Sequence, residues 1–284
     1  MGEDPLACGA RMNEPLTGTG TALYDRALSA APTPMWRRHA ARALQATPPV
    51  VRRAYWRRRR AAERAARRAL EAHGDFSASR PANFGMDGEL DRRFGSTPGF
   101  FVEAGAYDGF LQSNTYFLER ARGWRGVLVE PVPLLAREAQ LERPASTVVN
   151  AALVAADHPE PELRLRYAGT MTVVADEDGA DSWAQEAQRN MALDEPTHEF
   201  TVQARTLSSI LDEVRAPPID LLSLDVEGYE PQVLGGLDLS RHAPRLILVE
   251  VELRTRREEV EALLSDFYGD PAQFSPNDLL FERR

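Results

Sequence analysis

A short apolar run ends in Phe101-Val102-Glu103-Ala104-Gly105-Ala106-Tyr107-Asp108-Gly109, and Ser113-Asn114-Thr115 follow where a helix should begin. Such a segment can hold a small charged ligand. Gly105 lets the backbone approach a ligand without a Cβ, and Gly109 permits a tight turn. Ser113 or Asn114 can cap a helix whose free amides attract a carboxylate. An ammonium beside that carboxylate needs acceptors, and Glu103 and Asp108 are the nearest. A second apolar run, Gly126-Val127-Leu128-Val129-Glu130, ends in an acid 25 positions after Gly105. An acid at the end of a second strand can accept hydrogen bonds from both ribose hydroxyls, as dinucleotide folds do at a separation of about twenty residues. The loop lacks the G-x-G-x-x-G spacing of a pyrophosphate turn, so an adenosine is better supported than NAD.

A third run closes on Val149-Asn150-Ala151-Ala152, where the Asn150 amide could donate and accept along an adenine edge. Leu221-Leu222-Ser223-Leu224-Asp225-Val226-Glu227-Gly228-Tyr229-Glu230 ends in three carboxylates around a glycine. Crowded carboxylates cost free energy, so this cluster points to contact with a ligand, a proton or a metal, while Glu230 could simply favour a helix N-terminus. Glu250 ends a further apolar strand, with Glu252 on the same side of the pleat. With Asp225 and Glu227 they could form an oxygen-rich site of the magnesium kind, against the competing reading of solvated strand ends. His158, His198 and His242 each read first as surface residues. His198, inside a long insertion, is the best placed of them to act as a base.

The elements that must position these residues follow from periodicity. Strands are expected at Phe100–Ala104, Gly126–Glu130, Thr147–Ala152, Ile219–Asp225 and Leu246–Val251. Helices are expected near Asn114–Arg122, Pro133–Leu141, Leu207–Val214, Glu230–Leu234 and Arg256–Leu264. Alternating strands and helices mean a mostly parallel sheet with helices on both faces. Residues 163–204 are too long for an ordinary connection. They should hold short antiparallel strands and a helix around Ser182–Met191, fold over the crevice, and bring Tyr167, Met171, Trp183, Met191 and His198 to an acceptor pocket. Ahead of this domain, residues 1–34 read as a flexible leader and residues 35–80 as an Arg/Ala-rich helical extension, before a turn-rich stretch from Phe76 to Gly99. Pro48 and Pro49 divide that extension into two helices, with Thr47 capping the second and Val51, Ala54, Tyr55, Ala62, Ala65 and Ala69 forming its mildly apolar face.

The net charge of −9 hides a division. Residues 1–80 carry 15 arginines against 7 acids, and residues 81–284 carry 19 against 36. An acidic catalytic part repels phosphates, which weighs against a nucleic-acid acceptor even with an Arg-rich arm to bind RNA. Cys8 has no second cysteine to pair with, so a reducing cytoplasm fits best. The first thirty residues lack the apolar core of a secretion signal, and no apolar run is long enough to span a membrane. A homo-oligomer is left open.

Phe101 to Thr115, Gly123-Trp124-Arg125-Gly126-Val127-Leu128-Val129-Glu130-Pro131 and Leu222-Ser223-Leu224-Asp225-Val226-Glu227-Gly228 resemble the FkbM family of methyltransferases, over roughly residues 84–284. The resemblance implies a Rossmann-like class I methyltransferase fold, S-adenosylmethionine as cofactor, and O-methylation of a hydroxyl on a natural product or sugar, a chemistry of secondary metabolism. Carried across position by position, it implies that Glu103, Gly105, Tyr107, Asp108, Ser113 and Asn114 line the methionine side, Glu130 the ribose, and Asn150 and Ala151 the adenine. It places Asp225 and Glu227 at the methyl-transfer region. The base is then Asp225, Glu227 or His198. A scaffold that keeps the fold without the reaction is the reading from another class, and the intact Glu103, Glu130 and Asp225 oppose it.

Overall fold

The computed structural model describes residues 47–175, 197–251 and 254–284. The expected α/β architecture is present. Strands β1 (Phe100–Ala104), β2 (Arg125–Val129) and β3 (Thr147–Val149) are parallel neighbours on one side of the sheet. Strands β4 to β7 belong to a second sheet. On the other side of β1, β8 (Leu221–Leu224) and β9 (Leu246–Glu250) continue in parallel. The edge is closed by β11 (Asp278–Glu282), antiparallel to β9, and by β10 (Ala272–Gln273). The order β10-β11-β9-β8-β1-β2-β3 reverses direction of growth at β1 and β8. In open α/β sheets the crevice beyond the strand ends at that reversal is where ligands bind.

Register brings the chemistry into one row. Ala104 lies opposite Val129 and Leu224, and Leu224 opposite Val249. Gly105, Glu130, Asp225 and Glu250 are the next residues on four adjacent strands.

Both faces of the sheet are covered, so its strands read as continuous apolar text rather than as alternation. Val102, Val127, Leu222 and Ile247 pack with Ile210 and Leu211 of α5 (Leu207–Val214), Val233 of α6 (Glu230–Gly235) and Val260 of α8 (Arg254–Leu264). On the opposite face Phe101, Leu128 and Leu248 pack with Leu118 of α3 (Tyr116–Arg122) and with Met86 and Leu90 of α2 (Met86–Phe94). Helix α4 (Pro133–Glu142) follows β2, and α7 (Leu239–His242) is one short turn before β9. Helix α2 falls in the stretch expected to be turns. Its signal was Met86, Leu90 and Phe94 at four-residue spacing, obscured by Gly85, Gly88 and Gly95.

The expected third strand, Thr147–Ala152, is split. The chain leaves the main sheet after β3, turns through Asn150 and Ala151, and enters a second sheet as β4 (Ala152–Leu153). That sheet, β4-β7-β5-β6, contains β5 (Glu162–Tyr167), β6 (Val173–Val174) and β7 (His198–Arg205), so the insertion holds antiparallel strands as expected. The helix expected around Ser182–Met191 lies outside the described residues, as do Trp183 and Met191.

Helix α1 (Pro49–Ala72) corrects two expectations. Pro48, not Thr47, occupies its N-cap, because Pro49 starts the first turn, where a missing N–H costs nothing. The expected apolar stripe faces outward, with Val51 50% and Tyr55 46% exposed. What the helix buries is Arg52, Arg67 and Glu71. Arg64 and Arg67 pair with Glu138 and Glu142 of α4, and Glu71 with Arg120 of α3. Among the described residues no helix is long and apolar enough to cross a membrane.

Candidate cofactor and active site

The loop after β1 is fixed by its own backbone. Gly105 has φ +83°, and a Cβ there would strike the carbonyl oxygen of Asp225, so this glycine first serves close passage of β1 and β8. Gly109 has φ +81°, and a Cβ would lie 2.9 Å from the Ala139 Cα of α4. Asp108 accepts from the N–H groups of Phe110 (3.1 Å) and Leu111 (2.8 Å) and meets Arg60 of α1 at 3.4 Å. It therefore closes the turn on the side away from the cavity, and does not join the residues that line it.

Glu103 borders the cavity, and its Oε2 is crowded with three donors while its Oε1 has one. It accepts from Ser113 Oγ (2.9 Å), Asn114 N (2.9 Å), Thr115 Oγ1 (2.7 Å) and Arg143 Nη1 (3.2 Å). These bonds give it a structural duty at the edge of the cavity. Arg143, fully buried, also donates to Glu119, Gly109 O and Thr115 Oγ1. Nothing in the local sequence around Arg143 marks it, since its partners lie 24 to 40 positions away. The N-cap position falls on Thr115, neither of the two expected residues, though Ser113 Oγ two positions earlier accepts from Tyr116 N at 3.0 Å. Asn114 donates through Nδ2 to Ser223 Oγ (3.0 Å), and its Oδ1 is buried at the cavity without a hydrogen-bond partner.

Glu130 stands where expected, buried at the end of β2. Tyr107 N donates to its Oε2 (2.8 Å) and Val132 N to its Oε1 (2.9 Å). Burial outweighs those two N–H groups and pushes its carboxyl up to about 8. Each oxygen can make a further hydrogen bond toward the cavity, one of them as a donor while the carboxyl holds its proton. Asn150 is spent elsewhere. Its Nδ2 donates to the carbonyls of Glu130 and Pro131, both at 2.8 Å, on the exposed side of the turn, so it does not line the cavity. Ala151, fully buried, does, together with Val129, Leu163 and Leu165. These make an apolar slot beside Glu130.

At the end of β8, Asp225 hydrogen-bonds Glu250, and its Oδ1 is buried without a partner. Burial, with the charge of Glu103, raises the Asp225 carboxyl; burial and the charges of Asp225 and Glu227 push Glu250 up to about 11. The two carboxyls share a proton. Asp278, opposite Glu250 in register, is pushed up to about 6 by burial, and no strand pattern had pointed to it. Glu230 does more than face a helix N-terminus. It accepts from Val226 N (3.1 Å) and Gly228 N (3.0 Å), closing the turn that carries Glu227 at φ +56°. Burial holds its carboxyl up at about 7. Among the described residues no group of three or more His, Cys, Asp or Glu is arranged to hold a metal ion, and Glu252 lies outside them.

His198 is not brought to this site. It is exposed on β7 with its ring 5.4 Å from that of Tyr167 and 6.0 Å from that of Phe200, in a separate surface groove with Val132 and Leu134. Residues of the insertion do reach the cavity, through Leu163 and Leu165 of β5 and through Gly169, Thr170, Thr172 and Val174.

A parallel sheet with an antiparallel final hairpin strand, and a row of strand-end acids at its switch point, define the class I methyltransferase fold. The chain belongs to the methyltransferase FkbM domain family, whose model matches residues 103–271. Its class is that of the S-adenosylmethionine-dependent methyltransferases. No curated protein matches the sequence. Solved structures similar to it include a TehB-like SAM-dependent methyltransferase from Corynebacterium glutamicum, at 12% identity and TM-score 0.37, covering 84% of this chain and 100% of that one. An O-methyltransferase from Bacillus cereus in complex with SAH is 13% identical, with TM-score 0.36 and coverage of 78% and 91%. A precorrin-6y C5,15-methyltransferase from Geobacter metallireducens is 12% identical, with TM-score 0.38 and coverage of 70% and 86%. Scores this low add nothing to what the strand order and the family match establish.

Proposed function

We propose that the protein transfers the methyl group of S-adenosylmethionine to a hydroxyl oxygen of a small natural product or sugar. The observation that carries this reading is the pair of buried, unpartnered acceptors, Asn114 Oδ1 and Asp225 Oδ1, in one cavity with the preset carboxyl of Glu130. A ligand with an ammonium at one end and a ribose in the middle satisfies all three, and the slot of Ala151, Leu163 and Leu165 suits a flat base. Asn114 and Asp225 would hold the ammonium, Glu130 the ribose, and Ala151 the adenine face. Gly105 and Tyr107 would contribute backbone and wall, while Glu103 and Ser113 hold the loop in shape.

The bound cofactor supplies an electrophilic methyl on its sulfonium. The chain's own task is to align the acceptor oxygen and exclude water, which is where most of such a barrier is lowered. The hydroxyl proton passes to Glu227, the carboxylate of this cluster that faces the same space, since Asp225 is committed to Glu250 and to the ammonium. His198, in its own groove, is no longer a candidate. The cavity wall from Leu163 to Val174 would meet the acceptor, since apolar walls with few directing polar groups are typical of such pockets. The RNA alternative loses support because Arg60, Arg64 and Arg67 face carboxylates of this same chain.

The test is calorimetric titration of S-adenosylhomocysteine, followed by transfer from methyl-labelled S-adenosylmethionine to a panel of hydroxyl acceptors. Glu130→Gln should weaken binding at least about tenfold, because an amide in place of the carboxyl swaps one oxygen for an NH2 group and cannot serve both ribose hydroxyls in the same way. Asp225→Asn should abolish transfer to any acceptor the wild type uses. Equal affinity in Glu130→Gln would sink the ribose assignment.

A further inference from the structure

Helix α1 lies outside the span matched by the family, and it docks through a column of charged side chains rather than an apolar seam. Arg60, Arg64, Arg67 and Glu71 recur at three- and four-residue spacing, the spacing of one helix face. Two of them touch the cofactor loop from the side away from the cavity. Arg60 Nε lies 3.4 Å from Asp108 Oδ2, with both side chains largely buried. The Arg67 guanidinium sits over the ring of Phe110, 3.4 Å from its centroid, donates through Nε to Tyr116 Oη at 2.9 Å, and pairs with Glu142. Asp108 and Phe110 belong to the loop, and Tyr116 is the first residue of the helix that the loop feeds.

The loop needs such support. Tyr107 (φ 49°) and Gln112 (φ 60°) are non-glycine residues in the left-handed region, and both line the cavity. Backbone of this kind persists only where its surroundings over-determine it. Arg143 secures Gly109 O from one side, and α1 covers Asp108 and Phe110 from another.

We propose that Arg60 and Arg67 are positioning residues for cofactor binding: α1 braces residues 107–112 in the shape that receives S-adenosylmethionine, without touching it. This rests on the assignment of the cavity to that cofactor. A helix beyond the family domain then becomes part of the binding apparatus, with Arg60, Arg64 and Arg67 answering acids of the domain it docks on.

The full-length chain is tested as Arg60→Ala, Arg60→Lys and Arg67→Met, with Arg59→Ala as control, because Arg59 pairs with Glu63 on the exposed face. Two readouts are taken: the dissociation constant of S-adenosylhomocysteine by calorimetry, and amide hydrogen exchange of residues 105–115 compared with β9. Arg60→Ala should raise the dissociation constant about fivefold and Arg67→Met at least about tenfold, while Arg60→Lys stays within about twofold of wild type. Arg59→Ala should change nothing. Exchange should accelerate in residues 107–112 and stay slow in β9, a local loosening that general destabilisation would not give. Wild-type affinity with unchanged loop exchange in Arg60→Ala overturns the proposal. If Arg67→Met does not fold, the two Arg60 variants decide. If the wild type itself fails to bind S-adenosylhomocysteine, the cofactor assignment falls, and loop exchange alone then supports or overturns the bracing.

Discussion

Two sides of the molecule treat buried acids in opposite ways. Around β1, α3 and α4, each carboxylate meets an arginine: Glu71 with Arg120, Glu103 and Glu119 with Arg143, and Glu142 with Arg67. At the ends of β2, β8, β9 and β11, what acts on Glu130, Asp225, Glu250 and Asp278 is chiefly burial and the charge of neighbouring acids, so they bind protons more tightly than ordinary carboxyls do. The first side is electrostatically complete as folded and can only be disturbed. The second is poised to respond to a cation or to take up and give up protons. Structural acids and chemical acids thus have the same residue types and similar burial, and differ in what faces them.

The sharpest way to break this contrast is Arg143→Met. It keeps volume but leaves Glu103 and Glu119 as buried charges without their partner, a change that typically costs about 3–5 kcal/mol. Chemical denaturation should show a loss in that range. A loss below about 1 kcal/mol would mean that the first side is not organised by this ion pair.

A second experiment reads the proton-holding acids through pH. Glu230 keeps its proton to about 7 in the folded protein, against 4.5 for an ordinary glutamate, and Glu130 to about 8. A raised folded value means that the folded state binds more protons than the unfolded state between the two values. The contribution is therefore complete below about pH 4.5 and is lost as pH rises through about 7 to 8. The ligand-free protein should lose stability between pH 5 and pH 8, with Glu230 responsible for a change on the order of 3 kcal/mol. Glu230→Gln should flatten much of that slope, because an amide oxygen can still accept from Val226 N and Gly228 N. A slope unchanged in this variant would remove Glu230 from the group of acids that hold their protons.

The smallest effect is expected from His198→Ala. This exposed ring stands in a groove apart from the cavity. Affinity for S-adenosylhomocysteine should match wild type, and methyl transfer should change less than about twofold. A large fall in transfer with intact binding would return His198 to the acceptor site.

Much of the fold was legible because its strands are short apolar runs bounded by turn chemistry. Phe100–Ala104 and Leu207–Val214 emerge with the expected bounds, and Glu130 and Asp225 lie where strand-end logic puts them. Apart from the Thr47 cap and α2, where nearby Pro and Gly misled the reading, what failed traces to partners distant in sequence. In α1 both alanine and arginine recur at three to four residues, so periodicity could not say which face is buried until Glu138 and Glu142 were in place. Asn150 carries the right chemistry for a base edge, yet two carbonyls of the neighbouring strand end claim its amide. Arg143 and Asp278 gain meaning only from the tertiary pairing of α4 with the loop and of β11 with β9.

The crossing between the two sheets takes only Asn150 and Ala151, from the end of β3 to the start of β4. That short passage separates inheritance from invention. Substitutions in β5 to β7 can remodel the wall from Leu163 to Val174 while the hydrogen-bonded frame of β1, β2 and β8 stays as it is. On the proposed reading, a change of acceptor requires rewriting only one sheet, with the Ala151 step between the two kept small where it lines the cavity.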